Sequence, residues 1–362
     1  MAEHDEWLAE RFEGHRARLR SVAYRMLGST SEAEDAVQEA WLRLARSGAG
    51  GVDNLGGWLT TVVARVCLNM LRSRRSRSEE ALEGPLGEAL GGARVPDPIV
   101  GRADGSDPEH EALLADGVGL ALLVVLETLS PAERLAFVLH DTFGVPFAEI
   151  VPIVGRSPAA ARQLASRARN RVRGAAPAPE TDLASQREVV DAFLAASRGG
   201  DFGALLAVLD PEVVLRADNG AAGASRLVRG ARAVANQALT YSRLAPFSRP
   251  ALVNGAPGAV TAPGGVPRAI MGFTVAGGKI IEIDILADPE RLGRLDLRDI
   301  LRILLDQCLL IYTHDAVGET KALGSRGEGA RAVRKVSARG ARPLCRHGEE
   351  LSLRFEGICL FL

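Results

Sequence analysis

The stretch Pro146–Arg173, PFAEIVPIVGRSPAAARQLASRARNRVR, decides how this chain is read. Phe147 to Val151 predicts a short helix and Val154-Gly155-Arg156 a tight turn. Ser157-Pro158 then opens a second helix, with serine as the N-cap and proline at the first helical position. Helix, Gly-bearing turn, helix is the helix-turn-helix arrangement, whose second helix can enter a major groove. Pro152 removes one hydrogen bond from the first helix, which a position near its end tolerates. On the second helix Ala161, Leu164, Ala165, Ala168 and Val172 make a core face. Arg162, Ser166, Arg169 and Arg173 form the opposite stripe, with Gln163 and Arg167 beside it, and no acid occurs from Ile150 to Pro179. Arginine pairs bidentately with guanine or clamps phosphate, and Gln or Ser reaches base edges. A solvated Arg-rich helix in an Arg-biased chain is the other reading, since only three lysines accompany the arginines.

Upstream, a second basic cluster favours DNA. Arg65 within WLTTVVARVCLNML and Arg72, Arg74, Arg75 and Arg77 after it fall with no intervening acid. A helix C-terminus favouring positive charge is the alternative there. That helix is expected to open at Trp58, with Leu59, Val62, Val63, Val66 and Met70 inward. The loop Asp53-Asn54-Leu55-Gly56-Gly57 before it is a candidate pocket for an unstacked base. Trp58 reads equally as core or as a stacking platform. Earlier still, Ser31-x-x-Glu34 is a capping box, followed by the apolar face Ala33, Ala36, Val37, Ala40, Trp41 and Leu44.

Between the two basic helices, Ser78–Pro108 holds six glycines and four prolines with no sustained period and predicts a linker. Ala175-Ala176-Pro177-Ala178-Pro179 is a second, shorter one. Beyond it, helices over Asp182–Arg198, Asp201–Leu209 and Ala231–Leu244 accompany β-type runs at Val213–Ala217, Pro250–Val253, Arg268–Val275 and Ile280–Leu286. Ala276-Gly277-Gly278 is a hairpin signal. This pattern predicts an α+β domain with a curved antiparallel sheet.

The whole chain has 362 residues, 47% hydrophobic and 25% charged, which suits two or three soluble domains. A net charge of −1 rules out a uniformly basic nucleic-acid coat but not a local basic face. Its longest uncharged apolar stretch, Gly117 to Leu126, is about half of the ~20 residues a membrane span needs. The acidic amphipathic N-terminus lacks a secretory pattern, so the expected location is cytoplasmic. Four cysteines without a CxxC pair support neither a disulfide framework nor structural zinc. No metal or cofactor is expected.

The motifs of the first 173 residues resemble an extracytoplasmic-function sigma factor of the sigma-70 family. Ala33-Glu-Asp-Ala-Val-Gln-Glu-Ala-Trp-Leu-Arg-Leu44 is similar to region two, where it docks on the β′ clamp helices of RNA polymerase. Trp58-Leu59, Ala64-Arg65 and Asn69 with the trailing arginines are similar to the segment that reads and melts the −10 element. Leu129-Ser-Pro-Ala-Glu-Arg134 and the helix-turn-helix resemble region four, the −35 reader. The resemblance implies that Asp35, Gln38, Glu39 and Arg43 meet core polymerase. It implies that Asn54, Trp58, Arg65, Asn69, Arg72, Arg74 and Arg75 meet the −10 region, and Arg162, Gln163, Ser166, Arg167 and Arg169 the −35 region. Asp35 and Glu39 share an exposed helix face, which also serves plain solubility.

Residues 180–297 resemble the SnoaL-like, nuclear-transport-factor-2-like cone fold. A subgroup of these sigma factors carries such a domain, which tunes activity in place of a separate anti-sigma protein. Val95-Pro96-Asp97-Pro98 stands where the subgroup's Leu-Pro-Glu-Pro linker motif would be, and Asp218-Asn219-Gly220 where its Asp-Gly-rich loop would be. The implied regulatory contact joins Pro96, Asp97 and Pro98 to Asp218, Asn219 and Gly220. Cone folds also host enzymes using a buried carboxylate as base. Asp218, Asp284 and Asp288 are the acids available here, and no His lies between His140 and His314. Purely intramolecular regulation by a non-enzymatic domain is the expectation, with small-ligand sensing and retained catalysis as alternatives. A ligand-sensing one-component DNA-binding regulator, or a cone-fold isomerase or cyclase with an accessory DNA-binding module, is the competing reading of the chain. The resulting division is 1–78 for region two, 79–108 linker, 109–174 for region four and 180–297 for the cone. Residues 300–362 have a different texture and are assigned no function.

Overall fold

The computed structural model describes residues 2–47, 54–81, 94–104, 119–175, 182–220, 225–298, 300, 352–355 and 358–361. Residues 1–263 and 267–297 form one compact unit, and 264–266 with 298–362 a second. In the second, strands Ser352–Phe355 and Ile358–Phe361 pair antiparallel, and apart from residue 300 the rest of the expected tail lies outside the described residues.

Three long helices open the first unit: α1 (Ala2–Leu27), α2 (Thr30–Ser47) and α3 (Leu55–Ala81). The expected inward residues of α2 and α3 are buried, except that Trp41 and Met70 are half-buried against the same core. Two starts differ from expectation. Ser29 rather than Ser31 caps α2, its Oγ accepting from Glu32 N at 3.5 Å. α3 begins at Leu55, because Asn54 caps it by accepting from Gly57 N at 2.9 Å. The glycines expected in a loop are therefore its first turn.

Helices α4 (Leu120–Glu127), α5 (Pro131–Phe137, prolonged by a π-turn over Val138–Thr142), α6 (Phe147–Val154) and α7 (Pro158–Ala175) follow. Ser130 and Glu133 close a capping box on α5. Gly155 ends α6 at φ +69°, a left-handed cap open to glycine. One continuous apolar core joins α1–α3 to α4–α7.

The rest is helices α8 (Leu183–Gly199), α9 (Phe202–Val208), α10 (Ala231–Thr240) and the four-residue α11 (Pro289–Leu292) on a seven-stranded sheet. Its strands are β1 (Val100–Gly101), β2 (Leu209–Asp218), β3 (Arg226–Arg229), β4 (Ser248–Val253), β5 (Ala256–Thr261), β6 (Ala269–Ala276) and β7 (Lys279–Leu286), in the order β1-β4-β5-β6-β7-β2-β3. The sheet is mixed rather than wholly antiparallel: β7 returns from the β4–β7 meander to lie parallel to β2. Gly277 and Gly278, at φ +57° and +70°, make the expected β6–β7 hairpin turn. β3 and β5 lie outside the expected strand runs, the latter because Pro257-Gly258 has the composition of a turn. β1 is a larger correction. It belongs to the expected linker, yet it pairs with β4 as an edge strand of the cone sheet. Among the described residues no helix is long and apolar enough to cross a membrane.

Candidate functional site

Helix α7, the second helix of the expected helix-turn-helix, is built as expected. Ser157 Oγ accepts from Ala160 N at 3.3 Å. Ala161, Leu164, Ala165 and Ala168 are buried, whereas Arg162, Gln163, Ser166 and Arg167 are exposed. Arg169 differs: its Nε donates to Asp141 Oδ1 at 2.7 Å, bracing the helix on the π-turn. Arg167 and Arg171 lie 3.4 and 3.2 Å from the Glu133 carboxylate. Burial pushes that carboxyl up, but hydrogen bonds from Ser130 and these two charges outweigh it and hold it below the usual range.

On α3, Arg65, Asn69, Arg72 and Arg75 are exposed and Trp58 packs half-buried on the core. Arg74 turns the other way. It pairs with Glu32 and donates to Leu27 O at 3.1 Å. Burial, followed by the neighbouring Arg94 charge, lowers its pKa to about 10. This corrects its expected place among the DNA contacts: Arg74 ties α3 to α1 and α2. Arg77's side chain and Asp53 lie outside the described residues. Asn54 is exposed, but its side-chain oxygen is engaged as the helix cap.

The two basic surfaces meet. Arg72 and Arg75 from α3 and Arg156, Gln163 and Arg167 from the helix-turn-helix line one cleft of about 540 Å³. Arg134, 2% exposed, plugs the helical core nearby, donating to Arg25 O at 3.0 Å and Glu127 Oε1 at 2.8 Å. Burial raises the Glu127 pKa, yet the Arg134, Arg94 and Arg74 charges bring it below the ordinary value.

On the outer side of α2, Asp35 and Gln38 are exposed, and Glu39 accepts from Arg43 Nε at 3.0 Å. Leu42 stands exposed between them, 41% accessible, so the face is amphipathic rather than purely solvating.

Residues 95–100 are buried throughout. Asp218 Oδ2 accepts from Val95 N at 3.0 Å. Arg291 on α11 joins both partners, donating to Asp97 Oδ1 at 2.6 Å, Asp218 Oδ2 at 2.7 Å and Val95 O at 2.6 Å. On the opposite side Asp97 N donates to Gly28 O at 2.7 Å, and Tyr24 Oη donates to Asp97 O at 2.8 Å. Asn254 closes the ring, donating to Tyr24 Oη at 2.9 Å and accepting from Ile99 N at 3.1 Å. Gly28, at φ +68°, is where the parts converge: a Cβ there would lie 2.6 Å from Glu127 Oε1 and 3.3 Å from Pro96 Cβ.

Of the expected contact residues, Asp97 and Asp218 carry the junction. Pro96 and Pro98 are buried in it. Gly220 N donates to Asp218 Oδ1 and Asn219 N to Ser225 Oγ, at 3.1 and 3.3 Å, so these two shape the loop. Sequence reasoning missed Arg291, Tyr24 and Asn254. Two acids assigned to one contact called for a cation, and Asn254-Gly255 is a strong hairpin signal. Both clues were present.

Residues 11–77 match the family profile Sigma-70 region 2, and residues 119–172 match Sigma-70, region 4. The chain is 42% identical over 299 residues to the ECF RNA polymerase sigma factor SigJ of Mycobacterium tuberculosis, covering 77% of this chain and 91% of that one. This chain is an extracytoplasmic-function sigma factor. A second relative of this sigma factor, the probable ECF RNA polymerase sigma factor SigI of M. tuberculosis, is 34% identical over 307 residues, 82% of this chain and 98% of the relative. The crystal structure of M. tuberculosis extracytoplasmic function sigma factor SigJ superposes with a TM-score of 0.64 at 37% identity, covering 80% of this chain and 99% of that chain. Directing transcription initiation by RNA polymerase at promoter DNA is the function of the family, and sigma factors are not enzymes.

In this sigma factor none of the three candidate acids lines the cone cavity, whose β7 wall is Ile283 and Ile285. Asp218 belongs to the linker junction, and Asp288 caps α11 by accepting from Glu290 N at 3.0 Å. Asp284 lies on the other sheet face. There Arg216 donates to it at 3.1 Å and to Glu282 at 3.0 Å. Burial, with a smaller push from the Glu282 charge, raises the Asp284 carboxyl to about 6 against the opposing pull of the Arg216 guanidinium.

Proposed function

We propose that this sigma factor carries its own brake: the cone domain grips the linker and holds regions two and four closed on each other. The observation behind this reading is the Arg291 guanidinium, which bridges Asp97 of the linker to Asp218 of the cone. Both candidate readers line one cleft of about 540 Å³, so their basic surfaces share one small space instead of facing separate stretches of a duplex. Reading −10 and −35 elements separated along a duplex requires the halves to part. Release of residues 95–100 from the cone gives them the slack to do so.

In the open state Arg162, Gln163, Ser166 and Arg167 face the −35 element, and Arg65, Asn69, Arg72 and Arg75 the −10 region. Asp35, Gln38 and Leu42, with the Glu39–Arg43 pair, meet the β′ clamp helices. A brake in cis makes a separate anti-sigma protein unnecessary, and the place of work is the cytoplasm.

Run-off transcription with core polymerase tests this. Arg291→Ala is expected to raise promoter output several-fold at limiting polymerase, and unchanged or lower output sinks the brake. Cutting after Pro179 is expected to change output markedly, and cutting after Leu297 to leave it as in the full chain. A folded Asp35→Arg, Glu39→Arg variant is expected to lose affinity for core polymerase. Unchanged affinity removes that face from the docking surface.

A further inference from the structure

Between the cone sheet and helices α8 and α10 lies a cavity of about 200 Å³ that none of the functions above uses. Phe193, Leu215, Met271, Ile283 and Ile285 make its wall apolar. Two features distinguish it from a packing void. Ser197, only 6% exposed, lines it with an Oγ that has no hydrogen-bond partner among the described residues. A buried hydroxyl in that state calls for a partner, and the neighbouring Ser248 and Thr261 hydroxyls already satisfy each other at 2.7 Å. The charge of the lining is one-sided. Arg226 and Arg268, both exposed, stand at its edge, and no acid is among the described lining residues.

We propose that this cavity is a binding site for a small amphipathic carboxylate. Its apolar body fills the cone, its carboxylate meets Arg226 and Arg268, and a polar substituent meets Ser197 Oγ. Size limits the ligand: a cavity of about 150 Å³ takes one benzene ring, so this one takes a single ring or short acyl chain plus its carboxylate. Arginine suits the planar carboxylate through paired hydrogen bonds.

The site also abuts the linker junction. Asn219 and Ala287 belong to the cavity wall. Asn219 follows Asp218 directly, and Ala287 N donates to Asp218 O at 2.8 Å. Arg291 follows four residues after Ala287, on α11. A ligand that shifts this wall shifts both partners of the linker contact. The coupling rests on the brake proposed above; the binding does not.

Calorimetric titration of the full chain with 4-hydroxyphenylacetate, octanoate and neutral 1-octanol tests the site. At least one carboxylate is expected to bind saturably. Replacing both rim residues, Arg226→Ala and Arg268→Ala, is expected to weaken that carboxylate at least tenfold and leave any octanol binding unchanged. Ser197→Leu, which fills the cavity, is expected to abolish binding, and the exposed arginine variants keep the test decisive should it misfold. No saturable binding at millimolar probe, or binding indifferent to the arginine pair, overturns the site. In run-off transcription the bound carboxylate is expected to change output of the native chain but not of Arg291→Ala. Binding without that effect retains the site and removes the coupling. Absence of binding while Arg291→Ala still raises output removes the site and leaves the brake standing.

Discussion

Two interfaces keep the two arginine-rich helical regions together, and they are made of different chemistry. The direct one packs α1 and α3 against α4–α6 through a shared apolar core with Arg134 at its heart. The indirect one runs through residues 95–100, held by hydrogen bonds and one arginine shared by two aspartates. Apolar burial is strong but indifferent to signals. Polar contacts exchange with water at small net cost and respond to local change. The direct interface is also crowded with cations. Arg25 and Arg134 are buried there with Arg74 close by, whose pKa is lowered to about 10 first by burial and then by the neighbouring Arg94 charge. Under the proposed brake, such an interface holds while the linker is gripped and parts when the linker lets go.

Breaking the direct interface has the largest expected effect. Arg134→Ala strands the Glu127 carboxylate and should cost roughly 3–5 kcal/mol in chemical denaturation. Pairing it with Glu127→Gln should recover much of that loss. The Glu127 carboxyl is held below its ordinary value of 4.5. Its contribution is therefore present above that pH and lost as pH falls through the lowered folded-state value.

Asp284 has the opposite sign and sharpens the comparison from the cone's side. It pairs across β6 with Gly272, whose missing side chain makes room for Leu120 of α4. Its folded-state value is raised from 3.8 to about 6. The stability it contributes is complete below the unfolded value and lost as pH rises through about 6, on the order of 2–3 kcal/mol. Asp284→Asn should therefore be more stable than the native chain at pH 7.5 and lose that advantage near pH 4. Melting curves across this range decide it, and parallel curves would refute the assignment.

Breaking the indirect interface is expected to cost less, roughly 1.5–3 kcal/mol for Arg291→Ala, as for hydrogen bonds to charged groups. Hydrogen exchange should quicken over residues 95–100 while the cores of α1–α3 stay protected. Uniform quickening would make the two interfaces one cooperative unit.

The smallest effect separates the two arginine-rich helices. Arg162→Ala should cost about 1–3 kcal/mol of promoter affinity and relax preference at one base where its contact is bidentate to guanine. A uniform loss with a shallower salt slope would make it a phosphate contact. Arg74→Ala should lower stability instead, without altering base preference.

Much of this was legible locally. Caps, apolar stripes and turn glycines act within a few residues, so the helix-turn-helix, the inward faces of α2 and α3 and the β6–β7 hairpin could be read from spacing. The motif order of regions two and four carried the family. What escaped was decided at long range. Arg74 sits in the same run as Arg72 and Arg75, and only the placement of Glu32 turns it inward. Residues 94–101 look like spacer by composition, yet burial and pairing with β4 make part of them a strand. Arg291 meets Asp218 from 73 residues away and Asp97 from 194. Strand alternation placed Asp284 and Glu282 on one face, but which face met the cavity depended on how β2 and β7 paired. Local periodicity is set by backbone geometry that every segment carries with it. The partner of a charge is set by which distant surface the fold brings against it, and only the tertiary structure decides that.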